Sequence, residues 1–212
     1  HTVAHAIGAP TTVGLCAPGI ASPDGRHIDW MPGRLPGLEG LDWSTRLGAT
    51  VRVLNDAQAA LRAEVWVGAA KGRSDVTLLT LGTGVGGATL SGGKLLRGHL
   101  GRAGHWGHIS LNHMGPRDIV NTPGSLEDAI GNATLEKRSG GRWMDTAALV
   151  RAYCTGDEAA AVVWLDSIRA LAAGIASIGN AVDPELILIG GGIVQAGDAL
   201  FGPLRGFLDT FE

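Results

Sequence analysis

The sequence has few cysteines, few aromatic residues and no excess of charge of either sign. Its two cysteines, Cys16 and Cys154, lie far apart and form no Cys-x-x-Cys pair, which argues against a disulfide framework and against a thiolate zinc site. The 17 basic and 20 acidic residues give a net charge of −3, and no basic run is interleaved with aromatic residues. A nucleic-acid partner is therefore not expected for this segment.

Long apolar runs and a leader segment are also lacking. No apolar stretch approaches the roughly 18 residues that are needed to span a bilayer, and no charged segment followed by an apolar one opens the sequence. We therefore expect a cytoplasmic protein with no membrane partner. The first residue is His1 rather than methionine, so the chain is treated as a possible fragment.

Apolar residues and glycine are abundant. With 45% hydrophobic residues among 212, the chain can bury a large core in one or two domains. Its 34 glycines cluster at the junctions of apolar segments, which is typical of an α/β protein with tight turns. The pattern predicts a strand up to the Pro18-Gly19 turn, a capped helix after Ser125, a long helix from Asp157 to near Asp183, and a fully buried strand in "LILIG".

The segment "LGTGVGGA", residues 81–88, is the first candidate for chemistry. Apolar strands flank it, which indicates a hairpin, and its glycines allow backbone N–H groups to approach phosphate oxygens while Thr83 offers a hydroxyl. It is neither a P-loop nor a dinucleotide-binding motif, because no Gly-Lys-Ser/Thr follows and its context is a hairpin. On these residues alone, a tight structural hairpin is an equally good interpretation.

Asp56, in "VLNDAQAA", lies where a predicted strand passes into a helix. A carboxylate at a helix start can accept a proton from an attacking hydroxyl, and Asn55 beside it suits a sugar hydroxyl. Judged alone, Asp56 is more simply a helix N-cap. The glycine triplet at residues 190–192 could lie against a phosphate or a flat ligand, or could form a packing turn.

The order of these motifs along the chain narrows the functions that each motif alone leaves open. The segments "VGLCAPGI", "RLPGLEG", "VLNDAQAAL", "LGTGVGGATLSGGKLLRGHLGRAGHWGH", "GSLE" and "LILIGGG" together resemble the ROK family of bacterial sugar kinases and repressors. The resemblance covers nearly the whole chain. It implies part of an α/β, actin-like ATPase or ribonuclease H-like (hexokinase-type) two-domain fold, with residues 1–53 in the smaller N-terminal domain and 54–212 in the larger C-terminal one.

The resemblance also implies ATP-dependent phosphorylation of a hexose, with glucose the first substrate to test and N-acyl-hexosamines or other hexoses behind it, and with ATP and Mg²⁺ as cofactors. Asp56 stands in the place of the general base that takes the proton of the attacking sugar hydroxyl. The implied ATP-binding residues are Gly82, Thr83, Gly84, Gly86, Gly87, Gly190, Gly191 and Gly192. The implied sugar-binding residues are Pro18, Gly19, Arg34, Asn55, His105, His108 and Glu127.

Several positions depart from the family pattern. His105 replaces the glutamate of the family's Glu-x-Gly-His motif, and Arg34 precedes a loop in which the family usually has a sugar-contacting asparagine. These two departures leave the identity of the sugar undetermined. His108 matches a histidine that binds zinc in many members. The three cysteines of that site are absent, and Ser125 takes the place of the last, so we expect no zinc. His113 and Asp118 could join His108 around a metal, but hydrogen bonding or solvation is the plainer interpretation.

The family's first phosphate motif, Asp-x-Gly-Gly-Thr, and its final C-terminal helix are not found in the sequence. We therefore expect this segment alone to be inactive. One alternative is a sugar-responsive ROK repressor, whose helix-turn-helix would precede this segment. Another is a non-catalytic actin-like ATP-binding domain. ROK proteins are often dimers or tetramers, which would place the chain in a homodimer or homotetramer.

Overall fold

The computed structural model describes residues 11–31 and 35–211. The strands in this part of the chain are β1 (Thr12–Ala17), β2 (Ile20–Ala21), β3 (Ile28–Trp30), β4 (Thr50–Asn55), β5 (Val76–Leu81), β6 (Val85–Ser91), β7 (Lys94–Leu95) and β8 (Leu186–Gly190). The α-helices are α1 (Trp43–Leu47), α2 (Asp56–Val67), α3 (Leu126–Ile130), α4 (Leu135–Arg138), α5 (Thr146–Cys154), α6 (Glu158–Val182) and α7 (Asp198–Leu208). Short 3-10 helices occupy Trp106–His108, Asn132–Thr134 and Gly192–Ala196.

The ends of the N-terminal strands form one wall of the candidate site. β1 and β4 pair in parallel, from Thr12 opposite Thr50 to Ala17 opposite Asn55, so both strands end at the same edge. β2 and β3 form an antiparallel pair beside them. Buried apolar side chains of these strands, among them Ile28 and Val53, form a small core. The predicted strand before the Pro18-Gly19 turn is confirmed.

A four-stranded sheet of order β7-β6-β5-β8 carries the glycine segment. β5 and β6 form the predicted hairpin, with Leu81 opposite Val85, and β8 runs parallel to β5. The prediction that the "LILIG" strand is fully buried is wrong, since each of its residues is only partly buried. The physical reason is its position: within the described residues β8 pairs with β5 alone and forms an edge of the sheet.

The long helix α6 is the centre of the largest core. As the sequence predicts, it begins after the N-cap Asp157 and ends at Val182. The C-cap Asp183 has the left-handed conformation. By length and composition alone this helix could cross a membrane. Its buried side chains, Trp164 and Ile168 among them, instead pack with α3, α5 and α7, as in the central helix of a folded domain.

The predicted helix after Ser125 begins as expected and is then interrupted. Ser125 caps α3 through a hydrogen bond from the N–H of Asp128, but the helix ends at Ile130 because Gly131 turns the backbone out at ψ 144°. The next two N–H groups, of Asn132 and Ala133, donate to the carbonyls of Gly82 (2.9 Å) and Thr83 (2.8 Å). The interruption therefore docks this segment against the glycine turn.

Gly191 offers a test of how tightly the end of β8 is packed. Its φ is +93°, and a Cβ there would collide with the backbone oxygen and nitrogen of Leu81. Gly191→Ala is therefore expected to cost about 1–3 kcal/mol of unfolding free energy, measured by urea denaturation. The control is Gly206→Ala in α7, where an added Cβ would meet no atom within 4 Å outside the adjacent helix backbone. This change removes a glycine from a helix interior. Equal stability of the two variants would contradict the close packing of Gly191 against the Leu81 backbone.

Candidate active site

A pocket of about 370 Å³ opens between the end of the first sheet, the glycine turn and the histidine-containing segment. Most of the predicted residues line it: Pro18, Gly19, Asn55, Asp56, Gly82, Thr83, Gly84, Gly86, Gly87, His105, His108, Glu127 and Gly191. Gly190 ends β8 and Gly192 lines a neighbouring pocket. Arg34 lies outside the described residues. The lining also includes seven apolar residues that were not predicted as site residues: Ile20, Trp30, Met31, Leu81, Val85, Ile119 and Val120.

Asn55 joins the two walls of the pocket. Its Oδ1 accepts hydrogen bonds from the N–H groups of Ala57 (3.0 Å) and Gln58 (3.4 Å), so Asn55 is the N-cap of α2. Its Nδ2 donates to the carbonyl of Gly19 at 2.9 Å. The simpler interpretation of Asp56 as the N-cap is therefore wrong, because the neighbouring asparagine takes that position. One amide hydrogen of Asn55 is left for a ligand.

Asp56 is the first residue of α2, and its side chain is exposed to the pocket. Its Oδ1 accepts a hydrogen bond of 2.9 Å from the N–H of Ala57. This hydrogen bond from the helix N-terminus orients the carboxylate. Asp56 thus presents an oriented, solvent-accessible carboxylate to the pocket.

The glycine turn presents backbone N–H groups on one side. The carbonyls of Gly82 and Thr83 are held by the N–H groups of residues 132 and 133. In a trans peptide the N–H points opposite to the C=O, so the N–H groups of Thr83 and Gly84 face the other side of the turn. These two groups are suitably placed to hydrogen-bond an anion.

Gly86 and Gly87 have a different environment from the turn, because both lie within β6. A Cβ on Gly87 would lie 2.6 Å from the Gly104 carbonyl and 2.8 Å from Trp106 Cδ1, and one on Gly86 would collide with Thr80 Oγ1. Here the absence of a side chain allows the segment around Trp106 to pack directly on the strand.

Glu127 connects the pocket to the glycine turn. It lies in α3, and its Oε2 accepts a hydrogen bond of 2.9 Å from the N–H of Val85. The carboxylate lies so close to Gly84 that a Cβ there would collide with it. The other oxygen, Oε1, is available to a molecule in the pocket.

His105 is the most unusual polar residue of the pocket. Its Nε2 is buried and has no hydrogen-bond partner among the described residues. Burial lowers the pKa of His105, and the nearby His108 adds to the effect although Asp56 opposes it. The ring is therefore neutral at neutral pH, and its Nε2 is an unsatisfied polar atom in a residue that lines the pocket.

Asp118 holds the imidazole ring of His108 through its Nδ1. This ring nitrogen lies 2.8 Å from Oδ2 of Asp118, whose side chain is completely buried. Burial by itself would raise the pKa of Asp118, but hydrogen bonds from His108, from the N–H groups of Thr122 and Val120, and from Ser125 hold it below its usual value. Asp118 is therefore an anion.

These residues do not fit the zinc site of the family. Within the described ranges, no three His, Cys, Asp or Glu side chains are grouped to bind a metal ion. His113 lies exposed on a turn, Ser125 caps α3, and the Nδ1 of His108 faces a carboxylate instead of a free coordination position.

A second pocket, of about 860 Å³, lies on the other side of the glycine turn. Gly82 and Thr83 line both pockets. The second pocket is otherwise formed by Asn132, Asp145, Thr146, Ala147, Val150, Arg151, Gly192, Ile193, Gln195 and Ala196. A molecule that extends from one pocket to the other would pass the N–H groups of the turn.

A family model described as the ROK family matches residues 2–211. The chain belongs to the ROK family. Its α/β fold is the actin-like ATPase fold of the ROK hexokinases: it superimposes on the ROK hexokinase from Thermus thermophilus with a TM-score of 0.79 and 32% identity, over 95% of this chain and 71% of that one. The fold and family predicted from the motifs are therefore confirmed.

Named ROK relatives act on different sugars. The glucokinase of Thermotoga maritima is 35% identical over 178 residues, which is 76% of this chain and 56% of the glucokinase, so the chain spans little more than half of that relative. The kanosamine kinase of Amycolatopsis mediterranei is 34% identical, over 95% of this chain and 68% of the kinase. A ROK family glucokinase from Streptomyces griseus, solved with glucose and AMPPNP, superimposes with a TM-score of 0.82 and 27% identity over 97% of this chain and 73% of that one.

The lowered pKa of His105 predicts a pH effect on stability. As the pH falls below the ordinary histidine value of 6.5, the unfolded chain binds a proton that the folded chain does not, so folding becomes less favourable. His105→Gln is expected to lose less unfolding free energy than the wild type between about pH 7.5 and pH 5, measured by urea denaturation. His113→Gln, at an exposed position, is the control. A wild-type pH dependence retained in the His105 variant would show that burial of His105 does not produce it.

Proposed function

We propose that this chain is the sugar- and nucleotide-binding part of an ATP-dependent hexose kinase, with Asp56 as the general base. The observation that carries the proposal is the exposed Asp56 carboxylate in a pocket of about 370 Å³, separated by one glycine turn from a second pocket of about 860 Å³. The first volume suits a monosaccharide and the second a nucleotide. Glucose is the first substrate to test, and N-acyl-hexosamines and other hexoses follow.

Asp56 would accept the proton of the sugar hydroxyl as that oxygen attacks the γ-phosphorus. Phosphoryl transfer needs little covalent help from the protein, but it does need an oriented nucleophile and stabilised phosphate charge. The N–H of Ala57 orients the carboxylate. The N–H groups of Thr83 and Gly84 would bind phosphate oxygens at the turn between the two pockets.

Four polar groups would hold the sugar. Asn55 has one free amide hydrogen, Glu127 has one free carboxylate oxygen, and His105 and His108 each contribute an imidazole edge. The unsatisfied Nε2 of His105 supports a ligand that forms a hydrogen bond there, because an unpaired buried polar atom is costly. A neutral imidazole in place of a carboxylate also reduces the negative charge next to the transferred phosphoryl group.

ATP would extend from the turn into the second pocket, beside Gly191 and Gly192. Mg²⁺ would be held by the phosphates of ATP and by water. When bound, the ion supplies charge screening for the β- and γ-phosphates. Use of ATP agrees with the cytoplasmic location expected from the sequence.

A transcriptional regulator remains the second candidate. A ROK family regulator that is a homologue of the E. coli MLC protein superimposes with a TM-score of 0.83 and 25% identity, over 99% of this chain and 57% of that one. The shared fold therefore does not discriminate between the two functions. The exposed Asp56 in the pocket favours the kinase.

Two further expectations remain proposals: a boundary between the two domains at residue 53, and assembly into a homodimer or homotetramer.

Asp56→Asn provides the direct test in the complete gene product. The variant is expected to lower kcat by about a hundredfold or more with little change in sugar binding, because the base acts in the transition state. The measurement is hexose-dependent ADP release with Mg-ATP and a panel of glucose, mannose, N-acetylmannosamine, N-acetylglucosamine and kanosamine.

The matched control is Asp166→Asn, a carboxamide change at an exposed position of α6. It should retain wild-type turnover. If the folded wild type releases ADP with none of these hexoses, the kinase proposal is wrong. If Asp56→Asn turns over as fast as the control, Asp56 is not the base.

Ala147→Phe tests the second pocket. Ala147 is exposed and lines that pocket but not the first, so a phenyl ring should obstruct the nucleotide. The KM for ATP is expected to rise about tenfold with the KM for sugar unchanged, since the loss of binding is confined to one substrate. Ala63→Phe, at an exposed position of α2, is the control. An unchanged KM for ATP would place the nucleotide elsewhere.

A further inference from the structure

Asp118 is a buried carboxylate that no step of the proposed phosphoryl transfer uses. Its Oδ1 accepts hydrogen bonds from the N–H groups of Val120 (2.9 Å) and Thr122 (2.8 Å), and its Oδ2 faces the Nδ1 of His108 at 2.8 Å. Its own N–H donates to the carbonyl of Thr122 at 2.9 Å. The loop of residues 116–123 is thus folded around this one side chain.

Asp118 occupies the Nδ1 side of His108, so a zinc ion cannot bind that nitrogen. A zinc ion binds the lone pair of an imidazole nitrogen, whereas an anionic carboxylate accepts a hydrogen bond from a ring nitrogen that carries its hydrogen. The hydroxyl of Ser125, at the position of the family's last cysteine, also stabilises the Asp118 carboxylate. An anionic carboxylate therefore binds both His108 and Ser125, the two residues that match zinc-ligand positions in the family pattern.

This arrangement determines the tautomer of His108. Because the ionised carboxylate only accepts hydrogen bonds, the Nδ1 of His108 must carry the hydrogen. In the neutral ring, Nε2 then has a free lone pair. His108 lines the sugar pocket with part of its side chain exposed, and Nδ1 is already bound, so Nε2 is the polar atom left for a ligand.

We propose that Asp118 replaces the zinc ion of other ROK proteins as the positioning group of the pocket. It orients the His108 ring and fixes the tautomer in which Nε2 accepts a hydrogen bond from a ligand hydroxyl. The identity of that ligand as a hexose rests on the proposed function. The tautomer and the absence of a zinc requirement are properties of the folded chain that can be measured without turnover.

The tautomer is tested by two-dimensional ¹H–¹⁵N NMR of the imidazole nitrogens in the complete gene product. Spectra are recorded at a pH above which the shifts no longer change, and the His108 signals are identified by their loss in His108→Gln. The wild type is expected to show a protonated Nδ1 and an unprotonated Nε2. A protonated Nε2 in the wild type would overturn the proposal, and this experiment needs no Asp118 variant to fold.

Asp118→Asn is designed to reverse the tautomer with little change of shape. The amide oxygen can still accept from the N–H groups of Val120 and Thr122, while the amide nitrogen donates to Nδ1 of His108 and moves the ring hydrogen to Nε2. The KM for the hexose with the highest turnover is then expected to rise about tenfold or more, with kcat less affected, because Nε2 can no longer accept. An unchanged tautomer or an unchanged KM would contradict the proposal.

Asp75→Asn is the matched control. The Asp75 carboxylate also accepts a loop N–H, from Gly92 at 2.8 Å, but it precedes β5 at the opposite end of the hairpin from the glycine turn. This variant should leave both the His108 spectrum and the sugar KM unchanged, even if it lowers stability. An equal rise of the sugar KM in both variants would indicate a general loss of structure and overturn the role of Asp118.

Metal analysis of the purified protein completes the test. We expect no stoichiometric zinc and the same thermal midpoint with and without a chelator. Stoichiometric zinc that is lost in His108→Gln would overturn the proposal. If no hexose binds or turns over, the proposed kinase function fails, and the NMR and metal results then decide by themselves whether Asp118 replaces zinc.

Discussion

The candidate site depends on the docking of α3 and the residues after it against the glycine turn. Residues 132 and 133 hold the carbonyls of Gly82 and Thr83, and Glu127 binds the N–H of Val85. These bonds fix the direction of the turn's free N–H groups and place one carboxylate oxygen of Glu127 in the pocket. The same docking forms the boundary between the two pockets, because Gly82 and Thr83 line both.

The polar groups around the pocket are paired to very different extents. Asp118 accepts hydrogen bonds from the loop and from His108, whereas the Nε2 of His105 has no partner among the described residues. A fully bonded buried group stabilises one conformation, while an unpaired one raises the free energy of the empty pocket. Binding of a hydroxyl by His105 would recover that free energy. The pocket thus has a fully hydrogen-bonded carboxylate at Asp118 and an unpaired nitrogen at His105.

The sequence was most informative where local chemistry determines the structure. The strand before Asn55, the β5–β6 hairpin and the caps Ser125 and Asp157 follow from patterning and capping, which act over a few residues. The break at Gly131 was not predictable, because long-range hydrogen bonds to the glycine turn end the helix. Nor was helix α7 predicted, since its glycines and Pro203 have poor helix propensity and burial of Leu200 and Leu204 outweighs it.

The family resemblance identified which residues surround the pocket, but not what each one contacts. Asn55 was expected to bind the sugar, and in the structure most of its hydrogen bonds serve the helix cap and the Gly19 loop. Asp118 appeared only as an alternative metal ligand, because its contact with His108 spans ten residues of irregular loop that carry no periodic signal. Such contacts depend on the folded loop as a whole. The fold therefore leaves the chemistry of the pocket to a few side chains. A histidine at position 105, where the family pattern has a glutamate, and the Asp118 carboxylate beside His108 alter that chemistry while the fold is retained.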